Sequence, residues 1–389
     1  MDTFSPIKLR NLELKNRFIK TATYEGMSRD GVPDERLYNL HASMAANGVA
    51  LTIVAYGAVN EDGLTHEDQM VIDKTATPYL ERLANEVHDK GGRIAIQLTH
   101  CGYFTRSTRY KSKKPLGPSR TLNKYGIMKG RPYSRAMSQA DIDQTIADFE
   151  QAALISKQCG FDAVEIHMGH GYLLSQFLSP AINKRKDRYG GSLENRMRLA
   201  REIVNAIRTA VGDDFPILVK INLDDDFNNG FSLSECIQVV QILDSHGVDA
   251  VMLSGGFTSL TPFYLMRGEI PLKQMVESEP NYLQKLALRF FGRTIIKKYD
   301  FKENFFLEKA LKVRKSTKMK LIYVGGVVSA KGIQEVMDAG FDMIAMGRAL
   351  IAEPDFLRKI KENTEHRSPC DQCNICVGYM ELKGIECVL

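Results

Sequence analysis

The alternation of short apolar segments with longer segments of helical period most restricts the fold of this 389-residue chain. Eight apolar segments rich in β-forming residues occur at 18–23, 49–56, 93–98, 161–166, 216–221, 250–254, 320–324 and 342–346. Segments with helical spacing are predicted at 34–47, 76–90, 138–159, 193–211, 233–247 and 330–339. Strands that alternate with helices form parallel sheets, and eight such units close into a barrel. The predicted fold class is therefore α/β, a (β/α)8 TIM barrel.

Two connections are longer than a barrel needs. Residues 102–137 follow the third predicted strand, and residues 255–319 follow the sixth. Loops after barrel strands lie at the end that holds active sites, so both are expected to cover the mouth and influence substrate choice. For the second, a structural insertion is an equally good interpretation. Residues 1–365 are assigned to the barrel, and 366–389 to a cysteine-containing tail.

Composition and charge exclude several classes of protein. Hydrophobic residues make up 44% of the chain, and a net charge of +5 is too small to indicate nucleic-acid binding. No signal pattern and no bilayer-length apolar segment occurs, so a cytoplasmic protein without a membrane partner is expected. Seven cysteines do not suggest a secreted disulfide framework, and reduced thiols are expected. The expected partner is a small-molecule substrate, and the oligomeric state is left open.

Polar side chains follow several predicted strands, at the end of a barrel where catalytic groups are found. Gln97 lies at the end of the third strand, and Lys220 at the end of the fifth. His167, His170 and Tyr172 come at the end of the fourth. A single histidine is usually structural, but this coincidence at one end of the barrel predicts an active site.

Glycines mark a second group of candidates. Gly325 and Gly326 follow the seventh strand, and Gly347 and Arg348 the eighth, where barrels often bind phosphate. Gly57, at the end of the second strand, is a further candidate for cofactor binding. Tight turns need glycine for other reasons, so Arg348 is the stronger evidence for a phosphorylated cofactor.

Two long motifs carry a family resemblance. Residues 167–180 have the sequence HMGHGYLLSQFLSP, and residues 185–196 have the sequence RKDRYGGSLENR. Together with Asn16 and Arg17, they closely resemble the old yellow enzyme family of NAD(P)H:flavin oxidoreductases. The resemblance extends from about Phe4 to Asp355 and implies a barrel that binds FMN, with NADH or NADPH as reductant.

The resemblance also implies roles for individual residues. Gln97 is expected to bond the pyrimidine edge of the flavin, and Lys220 to lie beside N1, where its charge stabilises the reduced form. Gly326, Gly347 and Arg348 are expected to hold the phosphate, with Gly325 beside them. The alternatives are a buried Lys220 paired with a carboxylate, and a core Gln97 bonded to the backbone.

His167 and His170 are similar to the family's pair that binds a substrate oxygen, and Tyr172 to its proton donor. The alternative for Tyr172 is a packing role at the barrel mouth. Tyr24 stands about where relatives carry a threonine or cysteine that bonds flavin O4. Thr23 can take that role if the alignment shifts by one, and Tyr24 is then an aromatic wall.

The tail departs from the family pattern. Cys370, Cys373, Cys376 and Cys387 resemble the iron-sulfur segment of the two-domain relatives of dienoyl-CoA reductase type, with one residue fewer between the second and third cysteines. An iron-sulfur cluster or zinc is one interpretation. A remnant without metal is favoured, because a cluster would have no electron partner in this chain.

The predicted function is an FMN-dependent ene-reductase, which passes hydride to an α,β-unsaturated carbonyl or a related electron-poor molecule. A dehydrogenase, an NADH oxidase or a quinone reductase is the alternative within enzymes. A non-catalytic flavin or metal redox sensor that docks a partner through its cysteine tail is the alternative from another class. A third alternative is a barrel aldolase or isomerase that forms a Schiff base through Lys220 and needs no flavin.

Overall fold

A computed structural model describes residues 2–389 and confirms the predicted barrel. Its strands all run parallel, each pairs with the next, and β8 pairs with β1 to close the ring. In chain order they are β1 Phe18–Lys20, β2 Leu51–Ala58, β3 Arg93–Thr99, β4 Ala163–Met168, β5 Ile217–Asn222, β6 Ala250–Ser254, β7 Leu321–Tyr323 and β8 Met343–Met346. All eight predicted strands are present, with ends shifted by at most three residues.

Helices surround the barrel and fill its long connections. Within the described residues they are α1 Glu35–Ala46, α2 Thr77–Asp89, α3 Gln139–Gln158, α4 Leu173–Leu178, α5 Leu193–Val211, α6 Leu233–Ser245, α7 Leu272–Ser278, α8 Tyr282–Ile295, α9 Leu307–Arg314, α10 Ala330–Asp338, α11 Arg348–Ala352, α12 Phe356–Glu362 and α13 Ile375–Lys383. The six predicted helices are confirmed. Ser138 and Asp141 form a reciprocal capping box at the start of α3. No helix among residues 2–389 is long and apolar enough to span a bilayer.

The second long connection contains three helices that the sequence did not predict, α7, α8 and α9. Much of the apolar surface of α8 faces outward, and Phe290 and Ile295 are 71% and 74% exposed. Helix prediction from apolar spacing assumes that the apolar face is buried. The apolar residues of α8 nevertheless recur with helical spacing, so the sequence carried a detectable signal for this helix, and only the outward direction of its apolar face was unexpected.

Apolar residues fill one end of the barrel, and charged residues occupy the other. A hairpin of Ile7–Leu9 and Leu12–Leu14 packs with barrel residues such as Met252 and Ile322 to close the end at which the strands begin. Toward the other end, Lys20 forms a fully buried ion pair with Glu25. A second buried pair joins Lys220 to Glu165, with 3.0 Å between Nζ and Oε1. The polar end of the barrel is therefore the end from which the long connections leave.

The C-terminal tail packs on the loop that follows β1. The amide of Ile385 donates a hydrogen bond to the carbonyl of Glu25 at 2.6 Å, and the Arg36 guanidinium bonds the Lys383 carbonyl. Gly26 adopts φ +61°, and a Cβ there would overlap the carbonyl oxygen of Met380. The close approach of α13 to the barrel therefore depends on a glycine at this position.

Gly26→Ala should release the tail without unfolding the barrel. Overlap with a packed neighbour costs on the order of 1–3 kcal/mol, so cleavage within the tail should accelerate by about 5- to 150-fold in limited proteolysis. Gly31→Ala is a matched control, because Gly31 also has positive φ (+81°) but its Cβ would lie 3.5 Å from the nearest atom, the Gln69 carbonyl oxygen. Equal cleavage rates in the two variants would show that backbone strain alone controls the tail.

Candidate functional site

A cavity of about 280 Å³ opens at the carboxyl ends of the barrel strands. Its walls come from the strand ends, from both long connections and from the tail. The tail contributes six lining residues: Cys370, Gln372, Val377, Met380, Glu381 and Ile385. Residues 366–389 therefore form part of the same cavity as the barrel.

The structure brings nearly all the predicted site residues to this cavity. Those that line it are Thr23, Tyr24, Gln97, His167, His170, Tyr172, Lys220, Gly325, Gly326, Gly347 and Arg348. Gly57 does not, and a Cβ there would point at the side chain of Ile72. A shift in the pairing of β2 with β3 between Val54 and Gly57 changes which residues face inward, and Tyr56 lines the cavity instead.

An imidazole pair and a tyrosine lie side by side after β4. The His167 ring centroid is 5.0 Å from that of His170 and 4.5 Å from that of Tyr172. His170 adopts φ +58°, its amide donates to Asn222 Oδ1 at 2.9 Å, and its Nε2 lies 2.7 Å from Ser254 Oγ. His167 Nδ1 is buried and has no partner among the described residues. The cavity thus presents at least one imidazole nitrogen that a ligand can bond.

Burial sets the protonation states of these three groups. Burial and the charge of Lys220 together lower the pKa of His170 to about 3. The pKa of His167 lies well below its usual value because of burial and the neighbouring His170 and Lys220. Burial and the nearby Tyr56 raise the pKa of Tyr172 well above its usual value. Near neutral pH the imidazoles are therefore uncharged and the tyrosine keeps its proton.

Glu165 connects two predicted cofactor residues in the barrel interior. Its Oε1 accepts a hydrogen bond from Gln97 Nε2 at 2.6 Å and lies 3.0 Å from Lys220 Nζ. Burial lowers the pKa of Lys220, and the charge of Glu165 opposes that shift. The two interpretations of Lys220 are therefore compatible, because it pairs with a buried carboxylate and also lines the cavity. Gln97 bonds a side chain, so its backbone-bonded alternative is wrong.

The glycine turns after β7 and β8 line the cavity. Gly326 has φ +81°, and a Cβ there would come within 2.6 Å of the Phe305 ring. Arg348 follows β8 directly, and burial lowers its pKa. Its Nη1 donates to the carbonyl of Arg267 at 2.8 Å and to Asn374 Oδ1 at 2.5 Å. These contacts hold the guanidinium at the cavity wall.

Asn374 joins the tail to this arginine. Its side chain is almost completely buried, and its Nδ2 donates to the carbonyls of Met266 and Glu269 at 2.7 and 2.8 Å. With the bond from Arg348, all of its strong hydrogen-bonding groups are used. Asn374 therefore fixes the connection after β6, the tail and Arg348 relative to one another.

Aromatic residues form the wall near the end of β1. Tyr24 packs against His66 and Tyr56, with ring centroids 4.7 and 5.6 Å apart. Tyr24 is an aromatic wall in this arrangement, whereas Thr23 Oγ1 is buried without a partner among residues 2–389. Unpaired buried hydroxyl and imidazole groups on one cavity need a polar ligand. These unpaired groups, together with Lys220 and the glycine turns, fit a phosphorylated flavin such as FMN.

Sequence reasoning missed several lining or supporting residues. Glu165 interrupts the apolar fourth strand, which was a detectable signal of a buried charge needing a partner. Tyr56 was the last residue of the predicted second strand. His66, Arg106 and Asn374 lie in connections without regular spacing, where no signal placed them at the cavity.

The four tail cysteines do not form a metal site in this structure. All are free thiols, and no group of three or more potential ligands is arranged to hold a metal within residues 2–389. Burial raises the pKa of Cys376 to about 11. Cys370 lines the cavity instead.

The barrel, the glycine turns with Arg348, and the imidazoles with Tyr172 are typical of a cofactor-dependent barrel enzyme. The chain belongs to the NADH:flavin oxidoreductase / NADH oxidase family, whose model matches residues 2–258 and 281–367. The resemblance to old yellow enzyme is thereby confirmed. Residues 259–280, in the long connection after β6, and residues 368–389, in the tail, lie outside this match.

Individual relatives agree with this family. The chain is 38% identical to 4,4'-dithiodibutanoate disulfide reductase of Rhodococcus erythropolis, over 99% of this chain and 94% of that protein. It is 29% identical to NADH oxidase of Thermoanaerobacter brockii, over 96% of this chain but only 53% of the relative. Morphinone reductase in complex with tetrahydroNAD superposes with a TM-score of 0.73 at 23% identity, covering 95% of this chain and 93% of that one. The solved structure shares the fold.

Lys220→Met should lower both the stability of the protein and the reduction potential of the bound flavin. Leaving Glu165 buried without its partner should cost about 3–5 kcal/mol of unfolding free energy, and losing the positive charge should lower the flavin reduction potential. Lys220→Met with Glu165→Gln removes the unpaired carboxylate, so it should recover most of the stability but not the potential. Urea unfolding and a redox titration measure the two effects. An unchanged potential in both variants would show that Lys220 does not act on the flavin.

Arg348→Ala should weaken FMN binding by about 10- to 150-fold, the loss of 1.5–3 kcal/mol expected for a charged hydrogen bond. Asn374→Ala should weaken binding less, because it removes only the support of the arginine. The double variant should bind no worse than Arg348→Ala, since the two residues act through one contact. Fluorescence titration of the apoprotein measures these constants. Additive losses would contradict the positioning role of Asn374, and Arg367→Ala, which breaks an exposed ion pair with Glu303, is the control.

Proposed function

We propose that this protein is an FMN-dependent ene-reductase that uses NADH or NADPH to reduce an α,β-unsaturated carbonyl or a related electron-poor small molecule. The observation that carries the proposal is the placement of a neutral imidazole pair beside a protonated tyrosine in one cavity. Hydride addition to an activated alkene creates negative charge on oxygen and requires a proton at carbon. The imidazoles can stabilise the negative charge on the oxygen, and the tyrosine can supply the proton to the carbon.

The residues around the cavity fit FMN in complementary ways. Gly326, Gly347 and Arg348 would hold its phosphate, while Gln97 and Lys220 would face its polar ring edge. When bound, FMN supplies hydride transfer between the nicotinamide and the substrate. The buried positive charge of Lys220 favours the anionic reduced form over the neutral oxidised form.

His167 and His170 would orient the substrate through its oxygen. Neutral imidazoles donate hydrogen bonds without adding a formal charge, and His167 Nδ1 has no competing partner in the described part of the chain. Ser254 and Asn222 hold His170 in place. The bonds strengthen as charge develops on the substrate oxygen, so they stabilise the transition state more than the bound substrate.

Tyr172 would deliver the proton from its hydroxyl. Its raised pKa keeps it protonated across the physiological range and makes it suitable for a strongly basic carbon centre. Tyr56 lies beside it, with ring centroids 5.3 Å apart, and burial raises the pKa of Tyr56 to about 12. Both hydroxyls therefore keep their protons near neutral pH.

Reduction of a small disulfide is the second candidate, and the similarity to the Rhodococcus erythropolis disulfide reductase over nearly the whole chain favours it. Here hydride from FMN would attack one sulfur, the S–S bond would break, and the leaving thiolate would take a proton to give two thiols. Tyr172 is a much weaker acid than a thiol, so the leaving thiolate has little need of its proton. The two candidates therefore differ in their dependence on Tyr172.

Tyr172→Phe should separate the two halves of the catalytic cycle. Reduction by NAD(P)H should be nearly unchanged, because no proton from Tyr172 is needed in that half-reaction. Reoxidation by an enone should slow by roughly 10²–10⁴, the usual contribution of a positioned acid. Stopped-flow measurements on prereduced protein give both rates, with reoxidation by oxygen as an internal control.

A matched variant distinguishes chemistry from packing. Tyr56→Phe removes the neighbouring hydroxyl from the same aromatic cluster, so enone reoxidation should stay within about tenfold of wild type. If Tyr172→Phe reoxidises as quickly as wild type with enones, the ene-reductase proposal fails. Rapid reoxidation of both variants by a small disulfide but not by enones would establish the disulfide candidate.

A further inference from the structure

The mouth end of the barrel concentrates positive charge in two segments. The first, residues 101–140 after β3, contains ten Lys or Arg and no Asp or Glu. The second, residues 281–299 with α8, contains five Lys or Arg and again no acidic residue. The whole chain has a net charge of only +5, so the remainder carries an acidic excess. The charge of the molecule is therefore polarised toward the mouth.

Many of these cations lack a neutralising partner. Six of the fifteen form ion pairs: Arg106 with Glu381, Arg109 and Lys111 with Glu61, Arg135 with Asp141, Lys297 with Asp226, and Lys298 with Glu269. Seven exposed basic residues of the two segments pair with no carboxylate in the described part of the chain: Lys113, Lys114, Arg120, Lys124, Lys129, Arg289 and Arg293. Their charge acts directly on anything that approaches this end.

The same segments expose large apolar side chains. On α8, Tyr282, Leu283, Phe290, Phe291 and Ile295 are all more than half exposed. The first segment adds five that are 40–45% exposed: Leu122, Tyr125, Ile127, Met128 and Tyr133. The remaining large exposed apolar residues within 2–389 lie in a short hairpin of Ser28–Arg29 and Val32–Pro33 after β1, in the connection after β6 and in the tail. All of these elements also belong to the mouth end.

The two segments belong to one surface around the cavity. Arg106 of the first segment pairs with Glu381 of α13, which lines the cavity. Helix α13 also accepts a hydrogen bond at its Gly378 carbonyl from Ser278 Oγ of α7 at 2.8 Å, and α8 packs on α7 where Gly292 lies against Leu272. The Phe104 ring packs against Tyr125 at 4.5 Å, and both line the cavity. The surface is therefore continuous with the cavity opening.

We propose that this mouth face docks on an anionic phospholipid surface, with α8 lying in the interface. A helix with exposed aromatic and aliphatic residues flanked by Arg and Lys inserts its apolar side between headgroups, while the cations bind lipid phosphates. A symmetric contact with a second copy would bring two basic surfaces together, which costs electrostatic energy. Charge complementarity therefore favours an anionic surface over self-association.

Such docking is peripheral and needs no membrane-spanning helix, so it agrees with the lack of one among residues 2–389. It departs from the expectation that the protein has no membrane partner. That expectation rested on segment length, which does not detect a helix lying in the plane of the bilayer. Docking would turn the cavity opening toward the lipid.

Flotation of the FMN-loaded full chain with vesicles tests the proposal. Vesicles of phosphatidylcholine with about one third phosphatidylglycerol should bind the protein, and pure phosphatidylcholine should bind it at least tenfold more weakly. Arg289→Glu with Arg293→Glu should reduce binding to the anionic vesicles by tenfold or more, since each basic residue contributes roughly fivefold. Phe290→Ser with Phe291→Ser should reduce it through loss of apolar insertion. Increasing salt should release the wild-type protein.

Lys312→Glu with Lys318→Glu is the matched control. Both lysines are exposed, carry no ion pair within 2–389, and precede β7 at the opposite end of the barrel. This variant should bind within twofold of wild type.

Equal losses in the two charge variants, equal binding to both vesicle types, or no flotation would overturn the proposal. A dimer in light scattering that Phe290→Ser with Phe291→Ser dissociates, without vesicle binding, would assign the face to a second copy instead. Steady-state turnover in lipid-free buffer is independent of these outcomes.

Discussion

Closure of the parallel barrel is the constraint on which the rest of the structure depends. The pairing of β8 with β1 completes the ring and brings the carboxyl ends of all eight strands to one rim. Residues as distant in sequence as Thr23, Lys220 and Arg348 can share one cavity only because of this closure. The hairpin at residues 7–14 seals the opposite end with apolar side chains, so polar groups gather at the rim.

Burying charged side chains at the polar rim costs free energy, and their ion-pair and hydrogen-bond partners offset that cost. Lys220 and Glu165 are both buried, and each is tolerated only because the other is present. Gln97 uses the same carboxylate, which fixes its amide in a single orientation. Burial also keeps the imidazoles uncharged and Tyr172 protonated. The site therefore holds hydrogen-bond donors of defined charge in place before any ligand arrives, which is the condition for electrostatic catalysis.

Segments far from the barrel strands complete the mouth. Asn374 ties the tail to Arg348, while the Arg106–Glu381 pair ties it to the connection after β3. The tail thus holds Arg348 in place at the cavity wall through hydrogen bonds. The mouth loops also carry the excess positive charge of the surface that we propose docks on anionic lipid.

The sequence by itself determined the barrel, its eight strands and most of the site. Strand and helix periods are local properties, and catalytic residues sit at strand ends whose position the fold fixes. Only the tertiary structure decided that Gly57 faces away, because a β-bulge changes side-chain direction without a sequence signal. It also decided that Glu165 pairs with Lys220, that Asn374 supports Arg348, and that α8 forms with its apolar face outward. These features depend on contacts between residues distant in the chain, which local patterns do not encode.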